Sequence, residues 1–173
     1  QSLRPSDASE AGAAMMPLKD DRALLRKRMQ AAFAALQSQG EAAVDTSRLA
    51  TFGFCFGGCC ALELARSGAP VKAAVSFHGT LDTPNPSDAN NIKGSVLVLH
   101  GAADPLVAKE QLPAFEAEMD AAGVDWQLVS YGGAVHSFTD THANVPGKMM
   151  YDAKTSARAF ATMHYLLDEV FCG

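Results

Sequence analysis

The sequence has no apolar run long enough to cross a membrane, and it has little charge of either sign. A membrane-spanning helix needs about 20 consecutive apolar residues, and no run in the chain reaches that length. Charged residues make up 19% of the 173 residues, and the net charge is −5. This acidic balance gives no electrostatic basis for binding nucleic acid or an acidic membrane surface. The sequence therefore predicts neither a nucleic-acid partner nor a membrane partner.

Cysteine is also scarce, and its spacing does not indicate disulfides. The four cysteines are Cys55, Cys59, Cys60 and Cys172. They do not form a disulfide framework in a chain of this size, and free thiols are typical of a reducing compartment. No basic segment followed by a short apolar run of the signal-peptide kind is visible, so we predict a cytoplasmic location. A zinc site made from Cys55, Cys59 and Cys60 is an alternative, although it lacks the usual two-residue spacing and a fourth ligand nearby.

What the sequence does have is a core and an alternation of strand-like and helix-like segments. The hydrophobic fraction of 48% suits one globular domain over residues 1–173. Apolar strand candidates lie at 48–54, 71–77, 95–100 and 125–131, and helical segments lie at about 20–38, 57–67, 109–122 and 152–170. This alternation predicts an α/β fold with a mostly parallel sheet and flanking helices. Residues 1–18, rich in Ala, Ser and Pro, are predicted to form a loop or arm.

A glycine-flanked cysteine between a strand and a helix is the most informative motif. The letters GFCFGG occupy residues 53–58. A tight strand–turn–helix with a central nucleophile is the geometry of a nucleophile elbow. At the start of a helix, Cys55 would meet unpaired N–H groups and the positive end of the helix dipole, which favour the reactive thiolate. The N–H of Phe56 would form half of an oxyanion hole. For the motif alone, a buried cysteine in a glycine-rich turn is the competing interpretation.

An acid and a histidine follow later in the chain, each after a strand-like run. Asp104 lies just beyond the third strand candidate, in a loop that Pro105 helps to fix. His136 lies in the loop after the fourth strand candidate. Nucleophile, acid and histidine in this order is the chain order of α/β-hydrolases. Their sites lie at the carboxyl ends of the strands, where all three candidates are expected.

Three other polar residues also lie near strand ends. Asp82 is an alternative to Asp104 as the acid that orients the histidine. His78 and His100 end strand candidates beside glycines, and a structural hydrogen bond to turn backbone is the expected role of each.

At these motifs the chain resembles the dienelactone hydrolase family, carboxymethylenebutenolidase-like α/β-hydrolases. The matching segments are GFCFGG at 53–58, SFHG at 76–79, LHGAADP at 99–105 and AVHSF at 134–138. The resemblance runs from about residue 22 to the end of the chain. It implies that Cys55 is the nucleophile, that His136 is the general base and acid, and that Asp104 orients the imidazole. It implies no metal and no organic cofactor.

Two features differ from the family pattern. The family has an eight-stranded sheet, whereas four strand candidates are found here, so we expect the C-terminal half of the fold. The other half would hold the second oxyanion-hole donor and a glutamate that interacts with the resting thiol. Dienelactone-specific members also carry an arginine one helical turn past the catalytic histidine, and that position is Asp140 here. The resemblance thus implies a small ester or lactone as substrate without implying a dienelactone.

The sequence supports two functional hypotheses. The first is a hydrolase that cleaves a small ester or lactone through a Cys55–His136–Asp104 triad and a thioester acyl-enzyme. The second is a partial α/β-hydrolase fold that binds or associates without turnover, because half a sheet leaves an open edge strand. Such an edge predicts self-association into a homo-oligomer or pairing with a further N-terminal segment.

Overall fold

The central element of the fold is a four-stranded parallel sheet. The structure, a computed structural model, describes residues 5–172. The strands are β1 (Ala50–Phe54), β2 (Ala73–Phe77), β3 (Ser95–Gly101) and β4 (Trp126–Tyr131), and they lie side by side in chain order. Each pairs with its neighbour in parallel. The predicted α/β class and the four predicted strands are confirmed.

Helices flank this sheet, and a small hairpin precedes the last of them. The helices are α1 (Ala8–Asp20), α2 (Arg22–Gln37), α3 (Phe56–Arg66), α4 (Gln111–Ala122) and α5 (Ala153–Cys172). A 3-10 helix spans Pro86–Asn91, and β5 (Asn144–Val145) pairs with β6 (Met149–Met150) in an antiparallel hairpin. Within residues 5–172, no helix combines the length and apolar character that a membrane crossing requires.

The core lies on both faces of the sheet, as the two-residue period of β3 shows. Successive side chains of a strand point to opposite faces. Leu97 and Leu99 pack in the cluster that includes Met163 of α5, whereas Val96 and Val98 pack in the cluster that includes Phe115 of α4. Burial on both faces explains why this strand is a continuous apolar run, as is typical of parallel sheets.

The prediction of a loop or arm over residues 1–18 is wrong for residues 8–18, which lie in α1. Residues 1–4 of that prediction lie outside the described residues. Alanine has the highest helix propensity of all residues, and Asp7 caps the helix by accepting a hydrogen bond from the Glu10 N–H at 2.8 Å. None of the side chains described in α1 is buried, so its helix formation depends on propensity and capping and leaves no strong apolar period in the sequence.

Helix α3, which begins directly after Cys55, is anchored by buried ion pairs. Glu63 and Arg66 on this helix are 0% and 1% exposed. The Arg66 guanidinium donates to Glu118 of α4 at 2.8 and 2.7 Å and to Glu63 at 3.0 Å. Arg26 of α2 also donates to Glu63, at 2.7 Å. Because removing one partner of such a buried pair leaves an uncompensated charge, the network ties α3 to its neighbours and fixes the turn before it.

Candidate active site

Cys55 occupies a sharp turn between β1 and α3 that only glycine neighbours allow. Its backbone has φ 53° and ψ −122°, a conformation that a residue with a side chain rarely adopts. A Cβ on Gly53 would lie 2.1 Å from the carbonyl oxygen of Gly57, and one on Gly58 would lie 2.4 Å from Ser76 Oγ. The turn is therefore strained and tightly packed, and such strain is typical of functional sites.

His136 and Asp104 form a buried pair beyond the ends of β3 and β4. Nδ1 of His136 lies 2.7 Å from Oδ2 of Asp104, and the two residues are 8% and 7% exposed. Asp104 also accepts a hydrogen bond from the Leu106 N–H at 2.8 Å, which fixes the carboxylate. The alternative acid, Asp82, pairs instead with Arg22 at 2.7 Å.

The structure brings this pair to the cysteine. The sulfur of Cys55 and an imidazole nitrogen of His136 lie within 4.8 Å of each other. Because Asp104 engages Nδ1, Nε2 is the ring nitrogen left for the sulfur. Cys55, His136 and Asp104, which are far apart in the sequence, thus converge at the carboxyl edge of the sheet, where open α/β folds place their sites.

The surroundings favour a thiolate–imidazolium pair. Burial opposes ionisation of Cys55, but hydrogen bonds from His136 and from other polar neighbours, together with the charge of His136, lower the pKa of the thiol to about 6. Burial likewise opposes protonation of His136, but its hydrogen bonds to Asp104 and Cys55 raise its pKa to about 9. Between these two values the sulfur is negative and the imidazole positive, which is the reactive state of a cysteine nucleophile.

A second histidine, His78, lies against Cys55. Its Nδ1 is 3.4 Å from the Cys55 sulfur and accepts a hydrogen bond from the Cys55 backbone N–H at 3.3 Å. Its Nε2 is 2.8 Å from Thr139 Oγ1. Because Nδ1 accepts a hydrogen bond, Nε2 carries the ring proton and donates a hydrogen bond to Thr139. For His78 the expected structural hydrogen bond to turn backbone exists, but the contact with the sulfur was not anticipated. Nδ1 of His100, for which the same bond was expected, is buried without a hydrogen-bond partner among the described residues.

His78 shares an unusual backbone conformation with two other residues at the site. Among the described non-glycine residues, those with positive φ are Cys55, His78 (41°) and Ser137 (57°), and Ser137 Oγ lies 3.4 Å from the Cys55 sulfur. A positive φ costs energy for a residue with a side chain. The three residues that adopt it here are Cys55 itself and two residues whose side chains lie against its sulfur. The one sequence signal of this close packing is the glycine after His78, because a Cβ on Gly79 would lie 2.9 Å from the Cys55 carbonyl oxygen.

A cavity of about 320 Å³ opens onto the sulfur. Its lining combines aromatic and polar side chains: Phe54, Cys55, His78, Ser137, Thr139, Asp140 and Phe160. Phe56 is the first residue of α3, so its backbone N–H has no acceptor within the helix. The site therefore combines a thiol, an imidazole, a free backbone donor and a pocket of a size that suits a small molecule.

The remaining cysteines take no part in this cluster. Cys59 is fully buried and accepts a hydrogen bond from Arg22 Nη1, and burial raises the pKa of Cys60 to about 11. Across residues 5–172, the group of His, Cys, Asp and Glu side chains with closely spaced ligand atoms is Cys55, His78 and His136. The alternative of a Cys55–Cys59–Cys60 zinc site is not what the structure shows.

A strained cysteine between a strand and a helix, followed by an acid and a histidine at later strand ends of a parallel sheet, is the arrangement of the α/β-hydrolase class. The model of the dienelactone hydrolase family matches residues 1–171. The chain belongs to the dienelactone hydrolase family.

Two solved structures resemble it closely. One, "m3DLH", has 47% sequence identity and a TM-score of 0.89, over 96% of this chain and 70% of that chain. The other is the dienelactone hydrolase-like promiscuous phosphotriesterase P91 from metagenomic libraries, with 44% identity and a TM-score of 0.88, over 98% of this chain and 71% of that chain.

Curated relatives differ in length from one another. An uncharacterised protein of Caenorhabditis elegans is 39% identical over 152 residues, which are 85% of this chain and 94% of that protein. A putative carboxymethylenebutenolidase of Yersinia pestis is 34% identical over 102 residues, which are 54% of this chain and 38% of that protein. The matched region thus covers nearly all of the first relative but well under half of the second.

Proposed function

We propose that the protein is a hydrolase that cleaves a small ester or lactone through a thioester formed on Cys55. The observation that carries this proposal is the convergence of sulfur, imidazole and carboxylate at one edge of the sheet, with a 2.7 Å His136–Asp104 hydrogen bond. Membership of the dienelactone hydrolase family supports a hydrolase that acts on a small molecule.

The first half of the reaction forms the acyl-enzyme. The Cys55 thiolate attacks the substrate carbonyl, and the oxygen that becomes negative accepts a hydrogen bond from the Phe56 N–H. His136, already protonated, gives its proton to the departing alkoxide as the C–O bond breaks. The products of this half are a free alcohol and a thioester on Cys55; in a lactone the alcohol stays attached to the acyl group.

The second half regenerates the enzyme. Neutral His136 takes a proton from water, and the resulting hydroxide attacks the thioester carbonyl. The C–S bond breaks, and the acid product leaves together with a restored thiolate–imidazolium pair. Asp104 keeps the imidazole in the tautomer and orientation that both halves need. No step requires a metal or an organic cofactor.

The pocket favours uncharged substrates over anionic ones. Phe54 and Phe160 provide apolar walls, and Asp140 contributes a carboxylate to the same lining. A carboxylate on the substrate would meet a like charge at this position. We expect the neutral substitution Asp140→Asn to raise kcat/KM for a carboxylate-bearing ester by about fivefold, the effect of removing about 1 kcal/mol of repulsion. For a neutral ester of the same size, kcat/KM should change little.

The direct test is turnover of p-nitrophenyl acetate by matched variants. Cys55→Ala should reduce kcat/KM by at least about 10³-fold, because the nucleophile is lost. Cys172→Ala, at the exposed end of α5, is the matched control and should keep the wild-type rate. Equal rates in wild type and Cys55→Ala, with both proteins folded by circular dichroism, would remove the enzyme proposal.

One observation favours the second candidate function, association through the sheet edge. Within residues 5–172, β1 pairs with β2 and with no strand on its other side. Phe52 and Phe54 on this strand are 54% and 37% exposed, and exposed apolar edge strands tend to pair with other chains. Light scattering after size-exclusion chromatography tests this candidate: a Phe52→Lys variant should dissociate an edge-paired oligomer, and a monomeric wild type would exclude it.

A further inference from the structure

We propose that Cys55, His78 and His136 form a binding site for one thiophilic divalent cation of the Zn²⁺ type. The bound cation would block the Cys55 nucleophile reversibly. The metal binding does not depend on the proposed hydrolase activity, whereas the block of turnover rests on it. Ligand spacing, the tautomers that the surrounding side chains impose, and burial support this site.

The spacing suits a four-coordinate ion. Zn–S and Zn–N bonds of about 2.3 and 2.0 Å place the S and N atoms of a tetrahedral site about 3.5 Å apart. The Cys55 sulfur and His78 Nδ1 are 3.4 Å apart, and all three ligand atoms lie within 4.8 Å of one another. Each pair of ligand atoms therefore needs to close by no more than about 1.5 Å to reach tetrahedral spacing. A water completes the fourth position, since the cavity opens onto the sulfur.

Both imidazoles are held in the tautomer that a metal requires. A ligating histidine normally donates its other ring N–H to a carboxylate or another acceptor, which fixes the ring. His136 has Asp104 Oδ2 at 2.7 Å from Nδ1, which leaves Nε2 for the metal. His78 has Thr139 Oγ1 at 2.8 Å from Nε2, which leaves Nδ1. At His78 the ion would displace the 3.3 Å hydrogen bond from the Cys55 N–H, which also donates to the Phe77 carbonyl at 3.0 Å. At His136 it would replace the proton shared with the Cys55 sulfur.

Charge and burial favour a soft ion over a hard one. The site offers one sulfur and two nitrogens, a donor set that suits Zn²⁺ and not Mg²⁺ or Ca²⁺. His78 and His136 are 1% and 8% exposed, so the ligands are already ordered. Metal binding releases one proton from the thiolate–imidazolium pair to the solvent, and the Zn–S and Zn–N bonds form in its place. Affinity should therefore fall as the pH is lowered.

The consequence is inhibition at the reacting atom. A sulfur bound to zinc has its lone pair committed to the metal, and the His136 nitrogen that carries the proton is occupied as well. Chelation restores both. The same three side chains would thus serve as a hydrolytic site without metal and as a resting site with it.

The test uses Co²⁺ as a spectroscopic probe and Zn²⁺ as the competing ion, in a Cys172→Ser background that removes the exposed thiol. The Cys172→Ser protein, with the site unchanged, should bind one Co²⁺ per chain. Binding should give a thiolate-to-cobalt charge-transfer band and the intense visible bands of tetrahedral cobalt, and Zn²⁺ should displace the cobalt. His78→Asn is the key variant, because asparagine tolerates the positive φ of this position. It should weaken Zn²⁺ binding by more than about 100-fold, beyond the cost of losing an outer-shell partner. His164→Asn, on the exposed face of α5, should leave binding unchanged.

A second readout needs no variant. One equivalent of Zn²⁺ should protect Cys55 of the wild type from alkylation by iodoacetamide, and a chelator should remove the protection, whereas Mg²⁺ should not protect. The proposal is overturned if no cobalt–thiolate band forms, if His78→Asn loses less than about 100-fold in affinity, or if Zn²⁺ fails to protect Cys55. Because none of these readouts is turnover, an inactive protein that binds the metal would refute the proposed function and leave the metal site supported.

Discussion

Alkylation of Cys55 as a function of pH tests the ion pair quantitatively. The pKa of about 6 leaves about half of Cys55 as thiolate at pH 6, whereas an ordinary thiol with a pKa of about 8.5 is about 0.3% ionised. That is roughly a 160-fold difference in thiolate. A less basic thiolate is a weaker nucleophile, by roughly 10–20-fold over this pKa difference. The net expectation is alkylation about tenfold faster than that of an ordinary thiol at pH 6.

The perturbation that isolates the cause is His136→Asn, which keeps polarity and removes the positive charge. In this variant the hydrogen bond and the charge of His136 are lost while burial remains, so the pKa of the thiol rises. The rate of iodoacetamide modification at pH 6, followed by intact mass, should fall by about tenfold or more relative to wild type. His164→Asn serves as the matched control. A wild-type midpoint at pH 8 or above, or a His136→Asn rate equal to that of wild type, would refute the ion pair.

Three further predictions concern the same machinery. The profile of kcat/KM against pH should be bell-shaped, because activity is lost below about pH 6 as Cys55 gains a proton and above about pH 9 as His136 loses one; a steady rise through pH 9 would contradict this assignment. Asp104→Asn should lower kcat by about 10²–10⁴-fold while KM changes little, since the buried partner of the imidazole is replaced by a neutral amide; unchanged turnover would transfer the orienting role elsewhere. Gly53→Ala should lower the melting temperature and reduce activity, because its Cβ would lie 2.1 Å from the Gly57 carbonyl oxygen; an unchanged melting curve would show that the turn relaxes freely.

The sheet was predictable because its strands are buried on both faces. β3 has the letters SVLVLHG and six of its seven residues are buried, so the apolar run in the sequence and the strand coincide. α1 was missed for the opposite reason: its described side chains are all at least partly exposed, and an alanine-rich surface helix leaves no apolar stripe. The hairpin of β5 and β6 was also missed, since strands of two residues are too short to show alternation.

Part of the candidate site was predictable and part was not. Cys55, Asp104 and His136 each follow a strand-like run, so their chain order could be read and their convergence expected. The contact of His78 with the sulfur depends on a positive φ and on Thr139 as a hydrogen-bond partner 61 residues away. The glycine after His78 is the one local signal, and it predicts neither the contact with the sulfur nor the partner Thr139. The ion pair between Arg22 and Asp82 also depends on tertiary packing, so it could not be predicted from the local sequence.

The covalent intermediate provides the most direct measurement of the central claim. Wild-type protein is mixed with p-nitrophenyl acetate, quenched in acid during turnover and digested for peptide mapping by mass spectrometry. We expect an acetyl group on Cys55 that disappears once substrate is exhausted, and none in Cys55→Ala. Turnover at the full rate with Cys55 unmodified, or with the acetyl group on another side chain, would contradict it.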